Sequence, residues 1–176
     1  MFAHAMIWIP VAAGVAVLMD VWAGLLHGGI WHRWLWNIHR SHHTPRVGWF
    51  EKNDALAALH APIAMALILH GCMARESALR EIAYGVGIGM TAFAVGYAIV
   101  HDGLVHERIP VQGLLRIGYI RRVVKAHRIH HTSPPGRPYS LFFGPTELRI
   151  ANLRQRSRRG VPRRSTGRAA RDRALS

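Results

Sequence analysis

The sequence predicts an all-α integral membrane protein with three transmembrane helices and a helical, histidine-rich cap on the cytoplasmic side of the bilayer. Three long apolar runs, separated and followed by polar and basic segments, support this prediction. Half of the 176 residues are hydrophobic, yet the formal net charge is +14. Apolar and basic residues are therefore segregated along the chain, as in a membrane protein, and are not mixed as in a soluble domain.

Each apolar run is long enough to cross a bilayer, which takes about 20 residues of helix. The runs cover residues 6–26, 55–74 and 82–100. The first run is too long for the core of a signal peptide, and no small-residue cleavage site follows it. In the third run, glycines that would let a neighbouring helix approach closely recur at every second position. They are Gly85, Gly87 and Gly89.

The distribution of Lys and Arg sets the expected orientation, because cytoplasmic segments are enriched in these residues. Residues 27–54 and the segment after the third run are expected in the cytoplasm, and the loop 72–81 is expected outside. Residues 104–124 are a candidate fourth span, but five charged side chains there favour an amphipathic helix at the interface. Tryptophans that fit an interfacial aromatic belt follow the first run: Trp31, Trp34 and Trp36.

The C-terminal end of the chain differs from the rest in composition. Residues 149–176 hold ten Arg and one Asp, which predicts a disordered basic tail. The expected organisation is therefore a membrane domain at 1–148 and an Arg-rich tail at 149–176. Beside a membrane, such a tail suits anionic lipid headgroups better than nucleic acid. A solvated tail without a specific partner is the alternative.

Ten of the 13 histidines form four clusters with a duplicated spacing. A pair spaced H-x4-H follows the first run, and a triplet spaced H-x2-H-H follows the pair. The same pair and the same triplet recur after the third run. The pairs are His27 with His32 and His101 with His106, and the triplets are His39, His42, His43 and His127, His130, His131.

The triplet spacing brings three imidazoles together, because residues i, i+3 and i+4 share one face of a helix. The pair spacing does not, because residues i and i+5 diverge by about 140° on a regular α-helix. Both members of a pair can reach one site only where the helix ends, where it bulges, or where the pair sits between two metal ions.

Ten imidazoles exceed the four ligands of a zinc site, whereas a pair of first-row metal ions fits their number. Imidazole suits iron, zinc, copper and nickel alike, so the ligands alone do not select the metal. The single cysteine, Cys72, excludes a disulfide framework within the chain. His4, His60 and His70 lie outside the pattern and are expected to be hydrogen-bonding or interfacial residues.

Acidic residues near the clusters are candidates for orienting the ligands. Asp20 lies inside the first run, where an acid is costly; it either accepts a histidine N–H or is packed and protonated. Asp54 and Asp102 are further candidates for accepting a histidine N–H. Glu51 and Glu107 are expected to be solvated charges.

The histidine motifs resemble those of bacterial β-carotene hydroxylases, in the membrane fatty acid hydroxylase/sterol desaturase superfamily. The resemblance covers residues 6–150, and the Arg-rich tail departs from it. HDGLVH and the segment FEKND are more specific to the carotenoid branch than the other motifs. The matching segments are HGGIWH (27–32), HRSHH (39–43), HDGLVH (101–106), HRIHH (127–131), SHHTPR (41–46), FEKND (50–54) and GYIRRVVKAHRIHH (118–131).

The resemblance implies a non-haem di-iron monooxygenase in which the ten histidines are the metal ligands and catalytic residues. It implies hydroxylation at C3 of β-ionone rings, from β-carotene through β-cryptoxanthin to zeaxanthin, with canthaxanthin to astaxanthin as a further reaction. O2 is the implied co-substrate. The implied location is the inner membrane of the cell, with the histidine motifs on the cytoplasmic side.

The sequence also suggests partners for such an enzyme. It holds no nucleotide-binding fingerprint and no iron–sulfur motif, so two electrons would come from a separate donor. A small acidic ferredoxin-like protein is expected to dock on basic residues of the cytoplasmic face. A carotenoid would arrive through the bilayer, and Ala94, Gly96 and Tyr97 are candidates for lining its path, although no substrate-binding residue is assigned. The basic residues are Arg116, Arg121, Arg122 and Lys125.

Three alternatives remain open from the sequence. One is a fatty acyl or sterol hydroxylase or desaturase of the same superfamily. Another is a non-enzymatic metal-binding or metal-transport membrane protein, although transport needs ligands in mid-membrane and these clusters follow the ends of the runs. A protein with a haem held by two histidines is the third, and ten clustered ligands far exceed its need.

Overall fold

The structure, a computed structural model, describes residues 2–45, 48–132 and 136–160 and is helical in those ranges, without a β-strand. Three helices form its body: α1 (Phe2–Leu26), α4 (Ala61–Met73) and α5 (Ala78–Tyr97). α1 and α5 each continue into a π-helical segment, His27–Trp31 and Ala98–Val105.

Three helical stretches are long and apolar enough to cross a membrane. They are Met6–Trp31, Asp54–Met73 and Ala78–Val105, and they confirm the three predicted spans. Between 11% and 22% of the residues in their most apolar windows are buried inside the protein. These helices therefore expose most of their apolar side chains, as expected where lipid is the solvent. Exposed examples are Leu18, Leu25, Ile63, Met65 and Val95.

α5 packs between α1 and α4, and its glycines make that packing possible. A Cβ at Gly85 would lie 2.7 Å from the carbonyl oxygen of Trp8, and one at Gly89 would lie 2.5 Å from that of Ala12. Gly87 faces the other way, where a Cβ would lie 2.9 Å from the carbonyl oxygen of Ala64. The small residues thus let both neighbouring helices approach the α5 backbone, as predicted.

Short helices link the long ones and form a cap at one end of the bundle. α1 and α5 end at that side and α4 begins there, because the chain crosses three times. The linking elements are α2 (Trp36–His39), a 3-10 turn Arg40–His43 and α3 (Asp54–Ala58). A 3-10 turn Gln112–Arg116 and two longer helices, α6 (Gly118–Thr132) and α7 (Gly144–Gly160), follow α5 and complete the cap.

Residues 104–124 do not form a fourth span. They contain the end of the second π segment, a 3-10 turn and the start of α6, and no spanning candidate lies there. α6 is amphipathic instead: it buries Val123, Ala126 and His127 and exposes basic residues on its other side.

Two sequence-based expectations need correction. Trp31 is 9% exposed and packs against His27 and His39, so it does not belong to an interfacial belt. Trp34 is 85% exposed, as an interfacial residue would be, whereas Trp36 is half-buried against His32. The predicted disorder from residue 149 is wrong for 149–160, which continue α7; residues 161–176 lie outside the described part of the chain.

Replacing Gly89 with Ala should destabilise the bundle, because the added methyl group meets the carbonyl oxygen of Ala12 and forces α1 away from α5. We expect a loss of about 1–3 kcal/mol, typical of overpacking, seen as a lower thermal unfolding temperature in detergent. Gly14→Ala is the matched control, because a Cβ there has nothing within 4 Å. Equal unfolding temperatures for the two variants would contradict the role of Gly89.

Candidate metal centre

The two π segments solve the problem that the H-x4-H spacing poses. The backbone N–H of His32 donates to the carbonyl oxygen of His27 at 3.0 Å, and that of His106 donates to His101 at 3.0 Å. In such an i→i+5 turn, residues five apart lie one above the other. The ring centroids of His27 and His32 are accordingly 4.9 Å apart, and those of His101 and His106 are 4.7 Å apart. The sequence left three ways for both members of a pair to reach one site, and the structure shows the bulged helix.

The ten clustered histidines converge into two groups of five. Within each group, one ring nitrogen of every histidine lies within 4.8 Å of those of the others. Each group takes four members from one half of the chain and one from the other half, because the middle residue of each triplet crosses over. Cluster 1 is His27, His32, His39, His43 and His130; cluster 2 is His42, His101, His106, His127 and His131.

The two clusters are adjacent. The rings of His43 and His131 stack with their centroids 4.5 Å apart, and those of His42 and His43 are 5.7 Å apart. His39, His42, His127 and His130 are at most 4% exposed. The ten histidines therefore form one group at the cap end of the bundle, in which six are buried and four are half-buried.

The facing atoms are Nε2 nitrogens at short distances. In cluster 1, His27 and His39 are separated by 3.0 Å, and His32 and His130 by 3.1 Å. In cluster 2, Nε2 of His101 lies 2.9 Å from that of His42. Two imidazole nitrogens bound at right angles to one metal ion, at about 2.1 Å each, would lie roughly 3.0 Å apart.

The outer nitrogens fix the tautomers. Nδ1 of His27 donates to the carbonyl oxygen of Tyr139 at 2.8 Å, and Nδ1 of His39 donates to Oδ1 of Asn53 at 2.7 Å. Nδ1 of His130 donates to the carbonyl oxygen of Gly136 at 2.8 Å. Because Nδ1 carries the proton, Nε2 of each neutral ring presents a lone pair to its neighbours. Facing lone pairs repel unless a cation lies between them, so the donor set fits a metal ion.

The environment favours the uncharged form of several of these imidazoles. Burial, reinforced by neighbouring histidines, lowers the pKa of His131 to about 2 and that of His43 to about 3. The same causes lower the pKa of His32 to about 4 and that of His42 well below its ordinary value. Neutral imidazole is the form that binds metal.

Cluster 2 is surrounded by carboxylates. Nδ1 of His101 donates to Oδ1 of Asp102 at 2.8 Å, so the predicted orienting role of Asp102 fits the geometry. Nδ1 of His42 lies 3.5 Å from Oε2 of Glu51. The Glu51 side chain is 5% exposed, so the expectation of a solvated charge is wrong there; Glu107 is exposed, as expected.

Asp20 contacts the backbone, and within the described part of the chain it accepts no histidine N–H. Its carboxylate accepts the backbone N–H groups of Leu141, Phe142 and Phe143 at 2.7–3.1 Å. The expectation that it accepts a histidine N–H is therefore wrong. It fastens the segment before α7 to α1, and that segment supplies the Tyr139 carbonyl to His27.

Asp54 also contacts no histidine ring nitrogen among the described residues. It accepts from Arg108 and from the backbone N–H of Glu51, so its predicted direct role is wrong. Asn53 and Glu51, which do lie beside ring nitrogens, were missed as orienting residues. Both belong to the segment FEKND, whose resemblance to the carotenoid branch could have indicated an orienting role for them.

The remaining histidines lie outside the clusters. His60 accepts from Nε1 of Trp22 at 3.0 Å, which confirms a hydrogen-bonding role. His70 belongs to neither cluster, and the side chain of His4 lies outside the described residues. Of the candidate lining residues, Tyr97 packs on His101 with centroids 4.4 Å apart, Gly96 lies beside Phe142, and Ala94 is exposed.

The crossing of His42 and His130 predicts an unusual pattern of metal loss. His42→Ala/His131→Ala removes two ligands of cluster 2 and should leave about one tightly bound ion per chain, since cluster 1 stays complete. His130→Ala/His131→Ala removes one ligand from each cluster. It should therefore lower the metal affinity of both clusters, by about 10–100-fold or more. Metal content after exposure to a chelator measures both.

His60→Ala/His70→Ala is the matched control and should retain the metal content of the parent protein. If the clusters instead followed the halves of the sequence, the outcomes would reverse. His130→Ala/His131→Ala would then keep one complete site, and His42→Ala/His131→Ala would damage two.

Comparison with known proteins gives this geometry a family. The family model described as fatty acid hydroxylase matches residues 12–147. The chain is 38% identical over 169 residues to the beta-carotene hydroxylase of Pantoea ananas, covering 92% of this chain and 93% of that protein. No solved structure matches the chain.

Plant proteins are similar as well. Beta-carotene 3-hydroxylase 2, chloroplastic, of Arabidopsis thaliana is 40% identical over 154 residues, which is 87% of this chain and 50% of that protein. Beta-carotene hydroxylase 1, chloroplastic, of Capsicum annuum is 41% identical over 87% of this chain and 49% of that protein. The chain thus spans about half the length of these plant relatives. The matched range contains all ten clustered histidines, and the chain belongs to the fatty acid hydroxylase family.

Proposed function

We propose that the chain is a β-carotene 3-hydroxylase that uses two non-haem iron ions and O2 to hydroxylate C3 of β-ionone rings. The convergence of ten imidazoles into two adjacent five-histidine clusters carries this proposal. Similarity to curated beta-carotene hydroxylases, one of them matched over nearly its whole length, supports the carotenoid substrate. The products would be β-cryptoxanthin and then zeaxanthin, and ketolated rings such as those of canthaxanthin would be further substrates.

The overall reaction balances with an external reductant. One oxygen atom of O2 enters the C–H bond at C3, and the other leaves as water with two electrons and two protons. Two iron ions, bound by the five histidines of each cluster, would supply the O2 chemistry needed to break an unactivated C–H bond. The chain holds the ligands neutral, orients them through their Nδ1 atoms and excludes water by burial.

A path for the carotenoid is suggested by an aromatic series on α5. Phe93 and Tyr97 have ring centroids 5.8 Å apart, and Tyr97 and His101 follow at 4.4 Å. Phe142 closes on the same series, 6.2 Å from Phe93. These side chains run from the lipid-facing part of α5 to cluster 2, so a hydrocarbon leaving the bilayer would meet apolar surface up to the candidate metal site.

The basic surface predicted for an electron donor lies on the outer side of α6. An open groove of about 900 Å³ there is lined by Arg121, Arg122 and Lys125, among others. The opposite side of α6 carries His127 and His130, which are 1% exposed. A helix is about 10 Å across, so an acidic ferredoxin-like donor bound in this groove would lie close to the clusters.

The proposed location is the inner membrane, with the histidine cap in the cytoplasm. The segments joined to the cap carry most of the Lys and Arg, which favours that side. The basic residues of α7 and of the segment beyond it would then face anionic lipid headgroups, and nucleic acid is not a proposed partner. The proposed division is a catalytic membrane domain at 1–148 and a basic C-terminal segment at 149–176.

Expression in a host that accumulates β-carotene should convert the pigment to β-cryptoxanthin and zeaxanthin, because both substrate and enzyme reside in the membrane. Pigment chromatography measures the products. His101→Ala should abolish them, whereas His70→Ala, outside the clusters, should leave product formation near that of the parent protein. Equal amounts of the two variants in the membrane fraction provide the control for insertion.

The family description leaves fatty acyl lipids as the second candidate substrate class. Unchanged carotenoids together with new hydroxylated acyl chains in the same cells would overturn the carotenoid assignment in favour of that class. The absence of both kinds of product, in cells whose protein binds two iron ions, would also count against a carotenoid hydroxylase.

Charge reversal on α6 should weaken donor docking. For Arg122→Glu/Lys125→Glu, the apparent KM for a reduced acidic ferredoxin should rise several-fold, while the rate at saturating donor stays the same. Arg75→Glu/Arg80→Glu is the matched control, because these residues follow α4 and begin α5 at the opposite end of the bundle. Equal KM values for the two variants, or a KM in the parent protein that does not respond to salt, would contradict docking on α6.

A further inference from the structure

The two clusters differ in the groups that hold the outer nitrogens of their histidines. In cluster 1, three Nδ1 atoms donate to neutral oxygens: the carbonyls of Tyr139 and Gly136 and the amide of Asn53. In cluster 2, Nδ1 of His101 donates to the Asp102 carboxylate, and Nδ1 of His42 faces the Glu51 carboxylate. Among the described residues, no carboxylate forms an ion pair with a cluster 1 histidine. Glu147 acts on His130 only at longer range, because its carboxylate accepts the backbone N–H groups of Tyr139 and Ser140.

Arg108 holds the carboxylates around cluster 2. Its Nη2 lies 3.0 Å from Oε1 of Glu51, and its Nη1 lies 3.0 Å from Oδ1 of Asp54 and 4.0 Å from Oδ1 of Asp102. Its side chain is 10% exposed, and its backbone N–H donates to the carbonyl oxygen of Asp102 at 2.8 Å. Glu107, directly before it, has a φ of 56°, so a left-handed residue turns the chain back toward the cluster.

The network does not neutralise itself. Three carboxylates surround one guanidinium, which leaves an excess of two negative charges beside cluster 2. A carboxylate that accepts a histidine N–H makes the imidazole a stronger electron donor to its metal. Because Glu51 is 5% exposed, solvent screens its charge less than at the surface.

We propose that the Glu51–Arg108–Asp102 network makes the two metal positions unequal, so that the cluster 2 ion is the harder one to reduce. This inference rests on the proposed function, because it takes both clusters to hold iron. Glu51, Arg108 and Asp102 are positioning residues: they act on the ion through His42 and His101. Each iron takes one electron from the reductant as it passes from the ferric to the ferrous state.

The test is a reductive titration of the purified full chain loaded with ⁵⁷Fe, followed by Mössbauer spectroscopy. We expect two one-electron steps that differ at least about tenfold in equilibrium constant, which is about 59 mV for one electron. A half-reduced sample should therefore contain one ferrous and one ferric iron in most molecules. Glu51→Gln and Asp102→Asn should each bring the two reduction potentials closer together, because each substitution removes a negative charge but keeps the shape of the side chain.

Glu107→Gln is the matched control. It removes the same charge one residue from Arg108, but that carboxylate is exposed and pairs with Arg128, so the steps should keep their separation. Asn53→Asp places a carboxylate beside His39 of cluster 1. It should also bring the two reduction potentials closer together, because it lowers the potential of the cluster 1 iron, which is the easier one to reduce. Gel filtration in detergent and the iron content identify any variant that fails to fold.

The parent protein alone can refute the proposal: a single two-electron step with equivalent irons overturns it. Shifts for Glu51→Gln and Asp102→Asn no larger than that for Glu107→Gln also overturn it. Both results leave the proposed function intact if β-carotene is still hydroxylated. A parent protein that binds no iron overturns the proposed function and this inference together.

Discussion

The structure depends on one electrostatic constraint: the Nε2 lone pairs of facing imidazoles repel one another unless a cation lies between them. Ten such rings occupy the cap, some with nitrogens about 3 Å apart. Carbonyl, amide and carboxylate acceptors hold the opposite nitrogens and prevent the rings from rotating to relieve the repulsion. The cap could therefore hold metal ions, and the bundle below it brings histidines from the two halves of the chain together.

Much of this could be predicted because the governing patterns are local. Three apolar runs of sufficient length predicted the spans, and the glycines of α5 predicted its close packing. The spacing of the triplets predicted ligands on one helical face. The pairs were ambiguous, because an α-helix separates residues i and i+5. In the structure, the π segments His27–Trp31 and Ala98–Val105 bring the two members of each pair together. Their backbone hydrogen bonds cannot be predicted from local residue preferences.

What the sequence missed depends on contacts between distant segments. Asp20 accepts backbone N–H groups from residues more than 120 positions away, and no spacing rule connects them. The sequence places Arg108 among several interfacial charges, yet it joins the carboxylate of Glu51, before α3, to that of Asp102, in the second π segment. The exchange of His42 and His130 was hidden because each triplet is complete in itself and gives no sign that its middle member belongs to the other group.

That exchange has a consequence for biosynthesis. Cluster 1 lacks its fifth histidine until His130 has been synthesised. Cluster 2 has a single histidine, His42, until the third spanning stretch, Ala78–Val105, has been made. A nascent chain that has made only its first half therefore presents four of the five cluster 1 histidines and one of the five cluster 2 histidines. Both clusters are therefore complete only when the second half of the chain has been made and has packed against the first.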